Sequence, residues 1–235
     1  MKKLGIIGGM GPLATAYLFN RIVEFTDAQK DQDHIDIVIL NHATLPDRTQ
    51  VIKSGKYENF ISAIVKDGKE LERLGVSNIA IPCNTSHFFY DEIQKRLNIN
   101  VINMVKETVL YIKNNKLDVK KVGIMATDGT IKTQTYAKEC ILQGIEPVFP
   151  SEKMQQTVMS IIYDEIKNGK KGSLNRFMEV VDELRGNDCD MVILACTELS
   201  YFKEYHNIPE YCIDAMDVLV KKSIELSGKK CKMII

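Results

Sequence analysis

The chain has 235 residues, 45% apolar and 26% charged, which is ordinary soluble composition and length enough for one large domain or two lobes with their own cores. Its 31 basic residues balance its 31 acidic ones, so no field of one sign is on offer for a nucleic-acid backbone or an anionic membrane, and a small molecule is the expected partner. No run of about 18 uninterrupted apolar residues occurs, so no membrane-spanning helix is expected.

Short apolar runs alternate with segments whose apolar residues recur three and four apart, the pattern of buried parallel strands joined by helices. The first run, 3 to 8, leads through GGMGPLA into a helix over 12 to 29. Four glycines and a proline interrupt this opening, so strand, loop and helix explain it better than a signal peptide. Strands at 35 to 40, 77 to 82 and 100 to 102 follow, with helices at 54 to 74 and 85 to 96 between them. A helix at 104 to 115 leads to strands at 121 to 126, 145 to 148 and 190 to 195, with helices at 131 to 143, 151 to 168, 173 to 186 and 197 to 204. A short strand at 211 to 213 and a helix at 214 to 227 end the pattern. Such alternation predicts parallel sheets built from right-handed crossovers. No Gly/Ser-rich or Pro-rich linker divides the chain, so two closely packed lobes are expected, one over 1–102 plus 210–235 and the other over 103–209.

The two halves echo each other. KLGIIGGMGPLAT returns as KVGIMATDGTIKT, with Lys3, Gly5 and Ile6 matching Lys121, Gly123 and Ile124, and Cys83 in NIAIPCNTSH matches Cys196 in DMVILACTELS. The offsets are 118 positions for the glycines and 113 for the cysteines. Two similar α/β units are therefore expected, each ending one strand in a thiol, so that a facing pair of thiols could remove a proton from one side of a carbon and return one to the other. Ligands of such sheets bind beyond the carboxyl ends of the strands, where Cys83, Cys196 and the loops at 8 to 12 and 127 to 130 fall.

Each thiol precedes a helix start, with Asn84, Thr85 and Ser86 after the first and Thr197 and Glu198 after the second as capping side chains. The exposed N–H groups and dipole there favour negative charge, so a thiol with an ordinary pKa of about 8.5 is expected to fall toward neutrality and act as a thiolate. The same N–H groups could hold a carboxylate. Against this stands the plain reading of a cysteine as a small buried filler, which the matched pair makes less economical. Arg48, in LPDRTQ, offers a guanidinium fork for a carboxylate. Lys167 is a second candidate cation, and its competing reading is a solvated lysine in the last turn of a helix. Thr127 and Thr130, in ATDGT, either meet a ligand or cap the next helix.

Gly9-Met10-Gly11-Pro12-Leu13-Ala14 fits GxGxxA after a strand and raises nucleotide binding, but the second strand ends in Asn41 and His42, without the acidic residue that a ribose needs. His87, four residues after Cys83, makes a Cys–His nucleophile pair conceivable, although a residue one helical turn on more often packs alongside or bonds a neighbouring loop. The cysteines at 83, 140, 189, 196, 212 and 231 show no CxxC spacing and no close His pair, which indicates neither a metal site nor a redox motif, and reduced thiols in the cytoplasm are expected.

Taken together, GIIGGMGPLAT, LPDRT, IPCNTSHFFYDEI, GIMATDGT, IIYDEIKNG and ILACTELS resemble the aspartate/glutamate racemase family of cofactor-independent amino-acid racemases, aspartate racemases most of all, over nearly the whole chain. The resemblance implies two pseudo-symmetric three-layer α/β lobes with mainly parallel sheets, an active site in the cleft between them, a homodimer, and neither pyridoxal phosphate nor metal. It makes Cys83 and Cys196 the catalytic thiols, and Arg48 and Lys167 the cations for the carboxylates of a dicarboxylic amino acid. Asn84, Thr85, Thr127 and Thr197 become the main polar binders, joined at the site by Met10, Thr130 and Glu198. By analogy Cys196 deprotonates the L form and Cys83 the D form. Cell-wall glutamate racemases carry an acidic residue in the first glycine loop and a histidine after the second Cys-Thr, where this chain has GGMGP and Glu198, so aspartate is expected before glutamate. The rival readings are a cysteine-dependent isomerase or decarboxylase of a dicarboxylate, and a nucleotide-binding regulatory module.

Overall fold

Leu4–Gly8 is a run of five buried residues with no polar side chain, which suits a strand covered on both faces. This is β1, the centre of a parallel four-stranded sheet with β2 (Ile37–Asn41), β3 (Asn78–Ala80) and β4 (Asn100–Val101), in the order β2-β1-β3-β4. A second parallel sheet repeats that order with β5 (Lys121–Ala126), β6 (Glu146–Val148), β7 (Met191–Ala195) and β8 (Cys212–Asp214), arranged β6-β5-β7-β8. These sheets belong to a computed structural model that describes residues 2–116 and 118–232. The chain forms two compact units, Met1–Glu107 with Met216–Ile235, and Thr108–Ala215. With flanking helices on each sheet, this is a two-lobed α/β fold.

Each unit has its own core. In the first, Phe60, Ile64 and Leu71 of the helix Glu58–Arg73 pack with Ile7, Ile79, Ile81 and Cys83. In the second, Phe177, Val180, Val181 and Leu184 of the helix Leu174–Gly186 pack with Val192, Leu194 and Cys196. The repeated glycine has the same steric reason in both. A Cβ on Gly5 would lie 2.9 Å from Leu71 Cδ1, and one on Gly123 would lie 2.9 Å from Leu184 Cδ1. The covering helix sits so close to the central strand that a side chain there would push it away.

The helices are more broken than the apolar periodicity predicts. The helix expected over 54 to 74 is Glu58–Arg73, and a further helix that the periodicity does not announce, Arg48–Ser54, precedes it and ends at Gly55, whose φ of 69° gives a left-handed cap. Pro46 and Asp47 open a helix, with the Asp47 carboxylate accepting from Gln50 N at 2.9 Å. The helix expected after Cys83 begins as a 3₁₀ segment, Thr85–Phe89, before Tyr90–Lys95. The one expected over 131 to 143 is Asp128–Lys132 and Thr135–Leu142, divided where Gln134 takes φ 55°. The segment 151 to 168 runs as α-helix over Glu152–Ser160, widens to a π turn over Ile161–Glu165, and tightens to a 3₁₀ turn over Ile166–Asn168. Among the described residues, no helix is long and apolar enough to cross a membrane.

Candidate active site

β3 and β7 hold the same place in their sheets, and each is followed by a buried thiol. Cys83 comes three residues after β3, and Cys196 directly after β7 as the residue preceding the helix Thr197–Phe202.

In the first unit, the loops after three strands meet near Cys83. Met10 and Cys83 share one apolar cluster, and Ser86 Oγ donates to Met10 Sδ at 3.3 Å. Arg48 reaches from the start of its helix to the first loop, with Nη2 donating to Met10 O at 3.3 Å and Nη1 to Pro46 O at 3.2 Å. Asn84 and Thr85 are buried beside the thiol, but the Asn84 side chain makes no cap bond to the 3₁₀ segment, contrary to its expected role. Gly9 has φ 93°, and a Cβ on it would lie 2.3 Å from the His42 carbonyl carbon. Close backbone packing thus accounts for Gly9 without a nucleotide.

His87 does not serve the thiol. Its Nδ1 lies 2.9 Å from the carbonyl oxygen of Cys83, and its Nε2 lies 3.1 Å from Met104 N. The tautomer that satisfies both carries its proton on Nδ1, donates it to Cys83 O and accepts the Met104 N–H at Nε2. Burial lowers its pKa below the ordinary histidine value, which keeps the ring neutral.

The second unit gathers Cys196, Thr197, Glu198 and Lys167. Cys196 Sγ donates to Glu198 Oε2 at 3.0 Å, Thr197 Oγ1 donates to the same oxygen at 3.4 Å, and Lys167 Nζ pairs with Glu198 Oε1. Lys167 also lies 5.4 Å over the Tyr163 ring. Burial opposes its charge, but Glu198, Cys196 and Tyr163 outweigh that and raise its pKa. Lys167 is therefore an ion-paired ammonium, where the competing reading had a solvated lysine.

The expected lowering of the thiol pKa does not hold for Cys196. Burial pushes it well above the ordinary cysteine range, the charge of Glu198 and the hydrogen bond to it add to that, and Lys167 and the Glu198 N–H offset only part. A helix of six residues contributes too little field to reverse the loss of water around the sulfur. Cys196 accordingly rests as a neutral thiol with its proton on the Glu198 side. Burial likewise pushes Cys140 and Cys212 up to about 12 and Cys189 to about 11, in keeping with thiols that only fill space.

Thr127 and Thr130 form a cap. Thr127 Oγ1 accepts from Thr130 N at 3.4 Å, the two hydroxyl oxygens lie 3.3 Å apart, and both residues are buried. Sequence reasoning gave Ser86 only a capping role, where its bond to Met10 links two loops, and it missed Tyr163, the ring beside Lys167. It also took Glu198 for a capping side chain and ligand contact, whereas that helix start has no side-chain cap bond and Glu198 instead meets Cys196 and Lys167. The acid in the first turn of the helix that Cys196 precedes was the available signal.

A model of the Asp/Glu/Hydantoin racemase family matches residues 7–222. The chain is 26% identical over 226 residues to the broad specificity amino-acid racemase RacX of Bacillus subtilis (strain 168), covering 94% of this chain and 96% of that one. The fold is similar to Picrophilus torridus aspartate racemase, with a TM-score of 0.82 and 32% identity over 99% of this chain and 96% of that one. It is also similar to an aspartate racemase homologue from Pyrococcus horikoshii OT3, with a TM-score of 0.80 and 25% identity over 97% and 100% of the two chains. With a family match over most of its length and a fold shared with an aspartate racemase, this chain belongs to the Asp/Glu/Hydantoin racemase family.

Proposed function

We propose that this racemase-family enzyme interconverts L- and D-aspartate, with glutamate as the second substrate, through two thiols and without a cofactor. The observation that carries the reading is the equivalence of Cys83 and Cys196, one after the third-numbered strand of each of two sheets with the same order. One sulfur removes the α-proton and the other protonates the opposite face of the same carbon. The hard step leaves an electron pair on a carbon beside a carboxylate, so preorganised cations and N–H groups must hold that carboxylate in a site closed to water. Arg48, steadied by two backbone carbonyls, and Lys167 are the cations of this reading. Asn84, Thr85, Thr127, Thr130 and Thr197 supply polar contacts, and Met10 an apolar one. The neutral thiol of Cys196 supports its role as the acid when D-aspartate is consumed. Glutamate differs by one methylene, worth only about 1–3 kcal/mol in fit.

The test is incubation of reduced protein with L-aspartate in deuterated water without added pyridoxal phosphate, following chirality and α-deuterium together. The expected product is D-aspartate carrying deuterium. Cys83→Ser and Cys196→Ser should each abolish racemisation while leaving one-sided α-proton exchange, and full racemisation by either variant overturns the two-thiol mechanism. Absence of exchange with both aspartate and glutamate overturns the substrate assignment. A homodimer accompanies this reading, and sedimentation equilibrium tests it.

A further inference from the structure

The segment that carries Arg48 leaves β2 at His42, and that residue is held from two sides. Its backbone meets the first loop: His42 N donates to Gly8 O at 3.2 Å, and a Cβ on Gly9 would lie 2.5 Å from His42 O. Its ring meets the covering helix Glu58–Arg73, where Nδ1 lies 2.7 Å from Asp67 Oδ2. A carboxylate only accepts, so Nδ1 donates. The two side chains are 35% and 16% exposed, so water competes for this bond only in part.

These contacts form a chain that ends at a cation. Asp67 holds the His42 ring, the His42 backbone packs on Gly8 and Gly9, and Met10 O, next in the same loop, accepts from Arg48 Nη2 at 3.3 Å. Leu45 N, midway from His42 to Arg48, donates back to His42 O at 3.4 Å, so the segment folds onto the residue that Asp67 fixes. The helix supplying Asp67 is anchored in the core by Phe60, Ile64 and Leu71, which makes it a rigid element to set a loop against. A guanidinium fork binds a carboxylate well only when it is preset, and a misplacement of about 1 Å can cost a site about 100-fold. Building on the reading of Arg48 as a carboxylate cation, we propose that Asp67 and His42 are positioning residues for Arg48. Their hydrogen bond fixes the Gly9–Met10 loop and the segment from His42 to Arg48 against the helix Glu58–Arg73, and so sets the fork for the substrate carboxylate. Because that carboxylate is held alike in the bound substrate and in the transition state, loss of the bond acts on KM and spares kcat.

Initial rates on L-aspartate, taken around a double-mutant cycle, test this. Asp67→Ala should raise KM by about tenfold and leave kcat within about threefold. In an Arg48→Ala background the same change should lower kcat/KM by less than about twofold, because the side chain it positions is gone. The same loss in both backgrounds overturns the proposal, since the pair then supports the unit as a whole and not Arg48. A fall in kcat with KM unchanged overturns it as well. His42→Ala replaces Asp67→Ala in the cycle if the latter does not fold. His42→Asn, whose amide donates from nearly the position of Nδ1, should keep KM within about threefold of the parent, and a KM as high as that of His42→Ala overturns the role of the hydrogen bond. A parent protein that neither racemises aspartate nor exchanges its α-proton overturns the two-thiol reading on which the role of Arg48 rests, whereas a racemising parent with equal losses overturns this inference alone.

Discussion

His87 joins Cys83 to a segment that begins seventeen residues beyond the histidine itself, donating from Nδ1 to the Cys83 carbonyl oxygen at 2.9 Å and accepting at Nε2 from Met104 N at 3.1 Å. The backbone under the thiol is thus held from the side by a buried neutral ring. His87→Leu removes both bonds and leaves a buried carbonyl and a buried N–H without them, so a loss of roughly 2–4 kcal/mol is expected in urea unfolding. The ring also predicts a pH dependence. Its folded pKa is depressed, so below pH about 6.5 the unfolded chain binds a proton that the folded chain refuses. Its contribution is complete above that pH and is lost as pH falls toward the folded pKa, and His87→Leu should remove that part of the slope.

Arg48 is steadied by Met10 O and Pro46 O before any ligand arrives. Arg48→Ala should raise KM for aspartate by about 10- to 100-fold, the value of one or more charge-assisted hydrogen bonds, and should affect a neutral amino acid less. Initial rates on aspartate and alanine test this, and equal losses remove Arg48 from carboxylate recognition.

Gly9→Ala puts a methyl group where the His42 carbonyl carbon would be 2.3 Å away, on a backbone with φ 93°. The first loop must move, so a loss of about 2 kcal/mol or more and a fall in racemisation are expected together. Urea midpoints and turnover of the purified variant check both.

Asp214 is buried at the end of β8, where Oδ1 accepts from Ser200 Oγ at 2.7 Å and Oδ2 lies 3.4 Å from Lys203 Nζ. Lys203→Met leaves that carboxylate without its cation, and a loss of about 3–5 kcal/mol is expected from the chemical unfolding curve. Pairing it with Asp214→Asn should recover part of the loss, since the buried charge is then gone.

The sheets and their repetition were legible because buried strands read as short apolar runs, and because Gly5 and Gly123 repeat for one steric reason that each unit meets alone. Helix breaks were less legible. Gly55 was a visible stop signal that apolar spacing overrode, whereas the left-handed Gln134 carries no residue type that demands it. The position of Cys83 and Cys196 after corresponding strands followed from local pattern. The protonation of Cys196 did not, because it depends on burial and on a glutamate whose orientation comes from a lysine 31 residues away in sequence.

The π turn over Ile161–Glu165 sets a rotational phase. Each residue of a regular helix advances its side chain by about 100°, so one residue more or fewer in that turn would swing position 167 round the axis by that angle. Lys167 meets Glu198 only at its present setting. The turn works as a vernier between the helix Glu152–Ser160 and the thiol's carboxylate, and a single-residue deletion there would cost the ion pair with every named side chain still in the sequence.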